Sequence, residues 1–132
     1  MKITADTNVL VRAMIGDDEQ EGALAQSELA AAEIVAIALP SLCELVWVLS
    51  EGYQIASDEI ADAVRLLTNA TNVVVNRPAV EAGLALLDAG GDFADGVIAY
   101  EGRWLGGETF VSFDKKAVKR LTAQSKAARL LG

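Results

Sequence analysis

The sequence contains no histidine. That excludes serine or cysteine nucleophiles assisted by imidazole, His-ligated zinc and histidine-driven RNA cleavage. Its single cysteine, Cys43, lies in the apolar run LCELVWVL, so the chain forms no internal disulfide, and Cys43 reads as a small buried hydrophobe. No apolar run reaches the roughly 20 residues needed to cross a bilayer, and the N-terminus lacks the charged start, apolar stretch and cleavage site of a secretory signal. A cytoplasmic protein without membrane contact is therefore expected. Basic residues are almost missing from most of the chain: residues 1–113 hold 18 acids and 5 bases, residues 114–132 one acid and six bases, for an overall net charge of −8. Such a body repels a polyanion at long range. The basic segment with Lys115, Lys116, Lys119 and Arg120 either supplies local attraction for nucleic acid or is a solvated helix face. What remains for acid, base or metal chemistry is mostly carboxylate.

The 132 residues, about half of them apolar, are enough for one respectable core, and a single domain spanning 1–132 with no internal boundary is expected. Strand and helix patterns alternate along it. KITAD is a first strand and TNVLVRAMI a first helix; DDEQEGALAQSELAAAE is acidic at its start and helical by composition. IVAIAL is a second strand, and Pro40 opens the helix PSLCELVWVLS. Ser57, Asp58 and Glu59 begin a helix with an apolar stripe of Ile60, Val64 and Leu67. NVVVN is a third strand, Pro78 opens a helix that ends at Gly90 and Gly91, and DFADGVIAYEGRWL is the next helix. ETFVSF is a fourth strand, KKAVKRLTAQS a basic helix, and AARLL a short final edge strand. Strands this apolar, alternating with helices, imply an α/β fold: a central, mainly parallel sheet of four to five strands covered by helices on both faces.

In a parallel sheet the functional crevice lies beyond the carboxyl ends of the strands. Asp6 ends the first strand, Glu44 follows the second, Asp114 directly follows the fourth, and Asp95 sits one turn into the helix before it. Each has a structural reading: Asp6 caps the first helix, Ser41 and Glu44 form a capping box, Asp92 caps the helix carrying Asp95, and Asp114 caps the basic helix. Taken jointly this account weakens, because Glu44 and Asp95 are set among apolar neighbours and a carboxylate there must be solvated, paired or metal-bound. Basic partners are scarce, and hard oxygen ligands of this kind suit Mg²⁺ or Mn²⁺.

Four stretches together, DTNVLVR, LCELVWVL, DFADGVIA and FVSFDKKAVKRL, resemble the PIN-domain family, and most closely the VapC-type ribonuclease toxins of toxin–antitoxin pairs. The resemblance covers residues 3 to 121. It implies a three-layer PIN-like sandwich and a metal-dependent endoribonuclease in which Asp6, Glu44, Asp95 and Asp114 surround Mg²⁺ or Mn²⁺. Asp92 is then an additional acid, and Asn8 and Ser112 are polar positions that hold the carboxylates or a bound water. An RNA substrate, a homodimer and a small cognate antitoxin follow from the same resemblance. Gly96, directly after Asp95, loosens a helix but also permits close approach of a neighbour. The rival reading is a non-catalytic, metal-binding PIN-like domain that dimerises and binds a peptide. Phosphoryl transfer to Asp6 fits poorly, since the dehalogenase pattern needs an Asp where Asn8 stands.

Overall fold

The first strand, β1 (Lys2–Thr4), is three residues long in the computed structural model, which describes residues 1–132. It stops there because Asp6 turns the chain into α1 (Thr7–Met14). Then come α2 (Glu19–Ala31), β2 (Ile34–Ala36), α3 (Leu39–Trp47), α4 (Ser57–Thr68) and β3 (Val73–Val74), followed by α5 (Arg77–Asp88), α6 (Phe93–Trp104), β4 (Phe110–Ser112), α7 (Lys115–Ala123) and β5 (Ala128–Leu130). The protein is α/β, with seven α-helices and every strand pairing parallel. Residues cluster into two units, Met1–Asn76 and Arg77–Gly132, described in turn.

In the first unit the strand order is β1-β2-β3, with Ile3 opposite Val35 and Val35 opposite Val73. The Ala5 N–H still donates to the Ala36 carbonyl at 3.0 Å, so sheet pairing carries the backbone up to the residue before Asp6. Helices cover the apolar strands through a core of Leu10, Val35, Leu42, Leu45, Leu49, Ile60 and Val64, all essentially inaccessible to water. Each such side chain stabilises the fold by about 1.5–3 kcal/mol on burial. Asn72 adds a polar tie: its Nδ2 donates to the carbonyls of Leu29 and Ala32 at 2.9 and 3.0 Å, satisfying acceptors that the end of α2 leaves open.

Two local readings are corrected here. Helix α3 begins at Leu39 with Ala38 as its cap and Pro40 in its first turn, and the Ser41 N–H donates to the Ala38 carbonyl. Ser41 is thus already inside the helix, because proline takes the first-turn place where no N–H is needed. There is no Ser41–Glu44 capping box. Beyond Trp47 the helix widens into a π-helical turn, Val48–Gly52, which keeps Leu49 buried. Cys43 is half-buried rather than buried.

In the second unit β4 and β5 pair in parallel, Phe110 opposite Ala128 and Ser112 opposite Leu130, so AARLL is a fifth strand, but one that pairs with β4 in a two-stranded sheet, the three-stranded sheet being β1-β2-β3. The core is Val80, Leu84, Leu86, Phe93 and Leu121. Helices α5 and α6 meet at two glycines. A Cβ on Gly83 would lie 2.8 Å from the Phe93 ring, and one on Gly96 would lie 2.5 Å from the Ala82 carbonyl oxygen and 2.9 Å from the Gly83 Cα. Gly96 is therefore the contact that seats α6, and Asp95 with it, against α5. No helix is long and apolar enough to cross a membrane.

Candidate functional site

Three of the acids singled out from the sequence are helix caps. Asp6 holds the extended backbone of an N-cap (φ −75°, ψ 155°), and its Oδ1 accepts the Thr7 N–H at 2.8 Å. The Asp92 Oδ1 accepts the Ala94 N–H at 3.3 Å, and the Asp114 Oδ1 accepts the N–H groups of Lys116 and Ala117 at 3.0 and 3.1 Å. Each cap uses Oδ1 alone. Asp6, Asp92 and Asp114 are all solvent-exposed, so none of them bears a large desolvation cost. Ser112, at the end of β4, accepts the Asp114 N–H on its Oγ at 2.9 Å and so fixes the backbone from which the Asp114 carboxylate projects.

Asp95 differs from these three. It is half-buried in the first turn of α6, with Phe93, Gly96 and Val97 buried around it, and it caps nothing. Burial pushes its carboxyl above the ordinary carboxylate range, and the negative charges of Asp92 and Asp114 push it further the same way. No basic side chain offsets them. The second unit thus brings Asp92 and Asp114 within electrostatic reach of Asp95, and the helix N-termini beside them supply positive potential.

In the first unit Asp6 and Asn8 are exposed at the start of α1, and Glu44 is exposed on α3, the helix that packs against α1. Without a capping box Glu44 has no structural task at its helix start. Within each unit, no three carboxylates draw close enough together to hold an ion by themselves.

The basic residues open α7. Lys115 and Lys116 are its first two residues and, like Lys119, are exposed. A lysine at a helix N-terminus opposes the helix dipole by about 0.3–1 kcal/mol, so these two charges do not serve the stability of α7. Arg120 is half-buried, its Cδ beside Gly91 and its guanidinium near Gly90, where it packs over the α5–α6 turn. Sequence reasoning overlooked Phe113. It is 79 % exposed between Ser112 and Asp114, and the alternation of Phe110 and Ser112 with Val111 and Phe113 was the available signal.

Comparison with known families matches residues 3–123 to the PIN domain. The chain belongs to the PIN domain family. The match runs from β1 through the last residue of α7 and takes in every acid discussed above. Members of the PIN domain family are generally nucleases, hydrolases that use divalent metal ions. No curated protein matches the chain.

Proposed function

We infer that this PIN domain is an Mg²⁺- or Mn²⁺-dependent endoribonuclease and the toxin of a toxin–antitoxin pair, with a small antitoxin and a second copy of the chain as partners. The observation that carries the metal-dependent part is Asp95: a half-buried carboxylate with its pKa raised by burial, Asp92 and Asp114, and no basic neighbour. A divalent cation relieves all three causes at once, and carboxylate oxygens are the donors that Mg²⁺ and Mn²⁺ prefer. The donors present suit that ion in kind, all being carboxylate oxygens, but within each unit no three of them stand close enough to hold it as placed.

Asp6 and Asp95 are the first choices as ligands, with Glu44 and Asp114 binding directly, binding through water or orienting the nucleophile. Ser112 keeps the Asp114 backbone in place, Asp92 adds negative potential beside Asp95, and Asn8 offers an amide next to Asp6. Lys115, Lys116 and Lys119 attract the RNA phosphates, with Arg120 restricted by its packing on Gly90 and Gly91. A bound divalent ion supplies Lewis acidity to the phosphodiester and lowers the pKa of a coordinated water. The products carry 5′-phosphate and 3′-hydroxyl ends.

The test is incubation of the purified protein with total RNA in Mg²⁺, Mn²⁺ or excess EDTA, with mapping of the cut ends. Cutting confined to the metal samples is expected. Undiminished cutting in EDTA refutes the reading, and metal binding without any cutting leaves the non-catalytic peptide-binding domain instead.

A further inference from the structure

Phe113 is a phenylalanine exposed to 79 % between two fixed points, Ser112 at the end of β4 and Asp114 at the start of α7. Its backbone has little freedom. The Asp114 N–H donates to the Ser112 Oγ at 2.9 Å, and the Asp114 Oδ1 accepts the N–H groups of Lys116 and Ala117. The ring is therefore presented from a rigid segment, so that binding a ligand on its face costs little conformational entropy. Gly132 lies alongside the ring, where a Cβ would sit 3.9 Å from the Phe113 Cδ1; lacking a side chain, it leaves the ring open. Exposed Lys115 and Lys116 follow directly after Asp114. An open aromatic face next to mobile cations is the combination that binds single-stranded nucleic acid, with bases stacked on the ring and phosphates held by the charges.

We propose that Phe113 stacks a base of single-stranded RNA beside the phosphate at which Asp114 acts. This rests on the nuclease reading above and adds to it a substrate-binding residue and a requirement for an unpaired base. A protein partner is the competing occupant of an exposed apolar ring. Asp114 stands directly next to Phe113, but its carboxylate accepts the Lys116 and Ala117 N–H groups, and the two lysines beyond it favour a polyanion, since Lys115 and Lys116 stand at a helix N-terminus where they do nothing for α7.

The experiment compares the full chain with Phe113→Ala, Phe113→Leu and Phe113→Trp. Binding of a single-stranded oligoribonucleotide is measured in EDTA, and KM and kcat for cutting are measured in Mn²⁺. Phe113→Ala should weaken binding about 5- to 150-fold, raise KM more than it lowers kcat, and leave both the melting temperature and the salt dependence of binding unchanged. Phe113→Leu should resemble the alanine variant. Phe113→Trp should bind at least as tightly as the parent, and RNA should quench its extra fluorescence. Replacing Lys115 and Lys116 by Ser should instead reduce the salt dependence. If Phe113→Leu binds RNA as well as the parent, the ring is an apolar contact for a protein and the proposal fails. If the parent cuts RNA in Mn²⁺ and Phe113→Ala cuts with the same KM, stacking alone is refuted. A parent that neither binds nor cuts RNA removes both readings.

Discussion

Replacing Gly96 by Ala sets two opposed effects against each other within one helix. Alanine in a helix interior is favoured over glycine by about 1 kcal/mol, so propensity alone predicts a more stable protein. The structure predicts the reverse. The new Cβ would lie 2.5 Å from the Ala82 carbonyl oxygen and 2.9 and 3.0 Å from the Gly83 Cα and the Ala82 carbonyl carbon. All three are backbone atoms, so no rotamer change relieves the clash. To restore the 3.4 Å at which ordinary contact begins, α6 and α5 must part by about 0.9 Å. Overpacking of this kind costs about 1–3 kcal/mol, and a backbone-on-backbone clash belongs at the upper end or beyond. The net expectation is a loss of about 1–2 kcal/mol, or a fall in Tm of about 3–8 °C for a domain of this size. Gly102→Ala is the control in the same helix. Nothing lies within 4 Å of its Cβ position, so propensity acts alone and stability should rise by a few tenths of a kcal/mol to about 1 kcal/mol. Thermal and urea unfolding followed by circular dichroism measure both. A Gly96→Ala variant that melts with or above the parent refutes the packing argument. Because Asp95 moves with α6, the Gly96→Ala variant should also lose part of the stabilisation that Mn²⁺ gives the parent.

Asp95→Asn removes a carboxyl whose folded-state pKa lies above its ordinary 3.8. The folded state then binds more protons than the unfolded state, so the parent's stability falls as pH rises from the ordinary carboxylate range through the raised pKa, and the penalty persists above it. The variant should therefore melt higher than the parent at neutral pH without metal, match it at low pH, gain less from added Mn²⁺, and cut RNA poorly; a variant less stable at neutral pH refutes the sign. Replacing Lys115, Lys116 and Lys119 by Ser, with Arg120 left to pack on Gly91, should weaken RNA binding and lower the slope of log K against log salt by up to about 2 for single strands. An unchanged slope would make the first turns of α7 only a solvated face.

What could be read in the sequence was what local chemistry decides. Asp6, Asp92 and Asp114 cap the helices that their positions predicted, because a cap depends on the residue itself and the N–H groups one to three places on. Gly96 was legible as a glycine that permits close approach, but Gly102 in the same helix meets nothing, so only the fold shows which of the two is used. The misreadings lie where pairing or packing decides. Ser41 and Glu44 have the capping-box spacing, yet the helix starts at Leu39 with Ala38 as its cap, three residues too early for it. IVAIAL and NVVVN hold six and five residues, but only three and two are paired strand, since each ladder ends where its partner turns into a helix or its cap. Arg120 is grouped by sequence with the lysines, as a charge for nucleic acid or for solvent, and only the fold places its Cδ beside Gly91 and its guanidinium near Gly90. The electrostatic situation of Asp95 was partly visible in the scarcity of basic residues. Its raised pKa needed the fold, because Asp114 is nineteen residues away along the chain and acts on Asp95 through space.

The caps also explain how a fold tolerates carboxylates that have no basic partners. A salt bridge to Lys or Arg would stabilise Asp114 or Asp92, but it would occupy the oxygens and place a competing cation where the proposed metal ion would bind. A helix N-terminus attracts the same negative charge with N–H groups and the dipole, and in each of these caps a single oxygen is enough,. Asp6 follows the same rule at α1. Asparagine caps about as well as aspartate, so Asn at Asp6, Asp92 or Asp114 keeps the helix start while removing the charge, whereas Ala removes both. Asp95 and Glu44 cap nothing, which makes Ala and Asn equivalent there as far as capping is concerned. A metal role therefore predicts a definite pattern across the set. Asn and Ala should abolish metal-induced stabilisation equally at all the ligand positions, while Ala should lower the metal-free Tm at the caps alone. Loss of metal response only where the Tm also falls would assign these carboxylates to helix capping and nothing more.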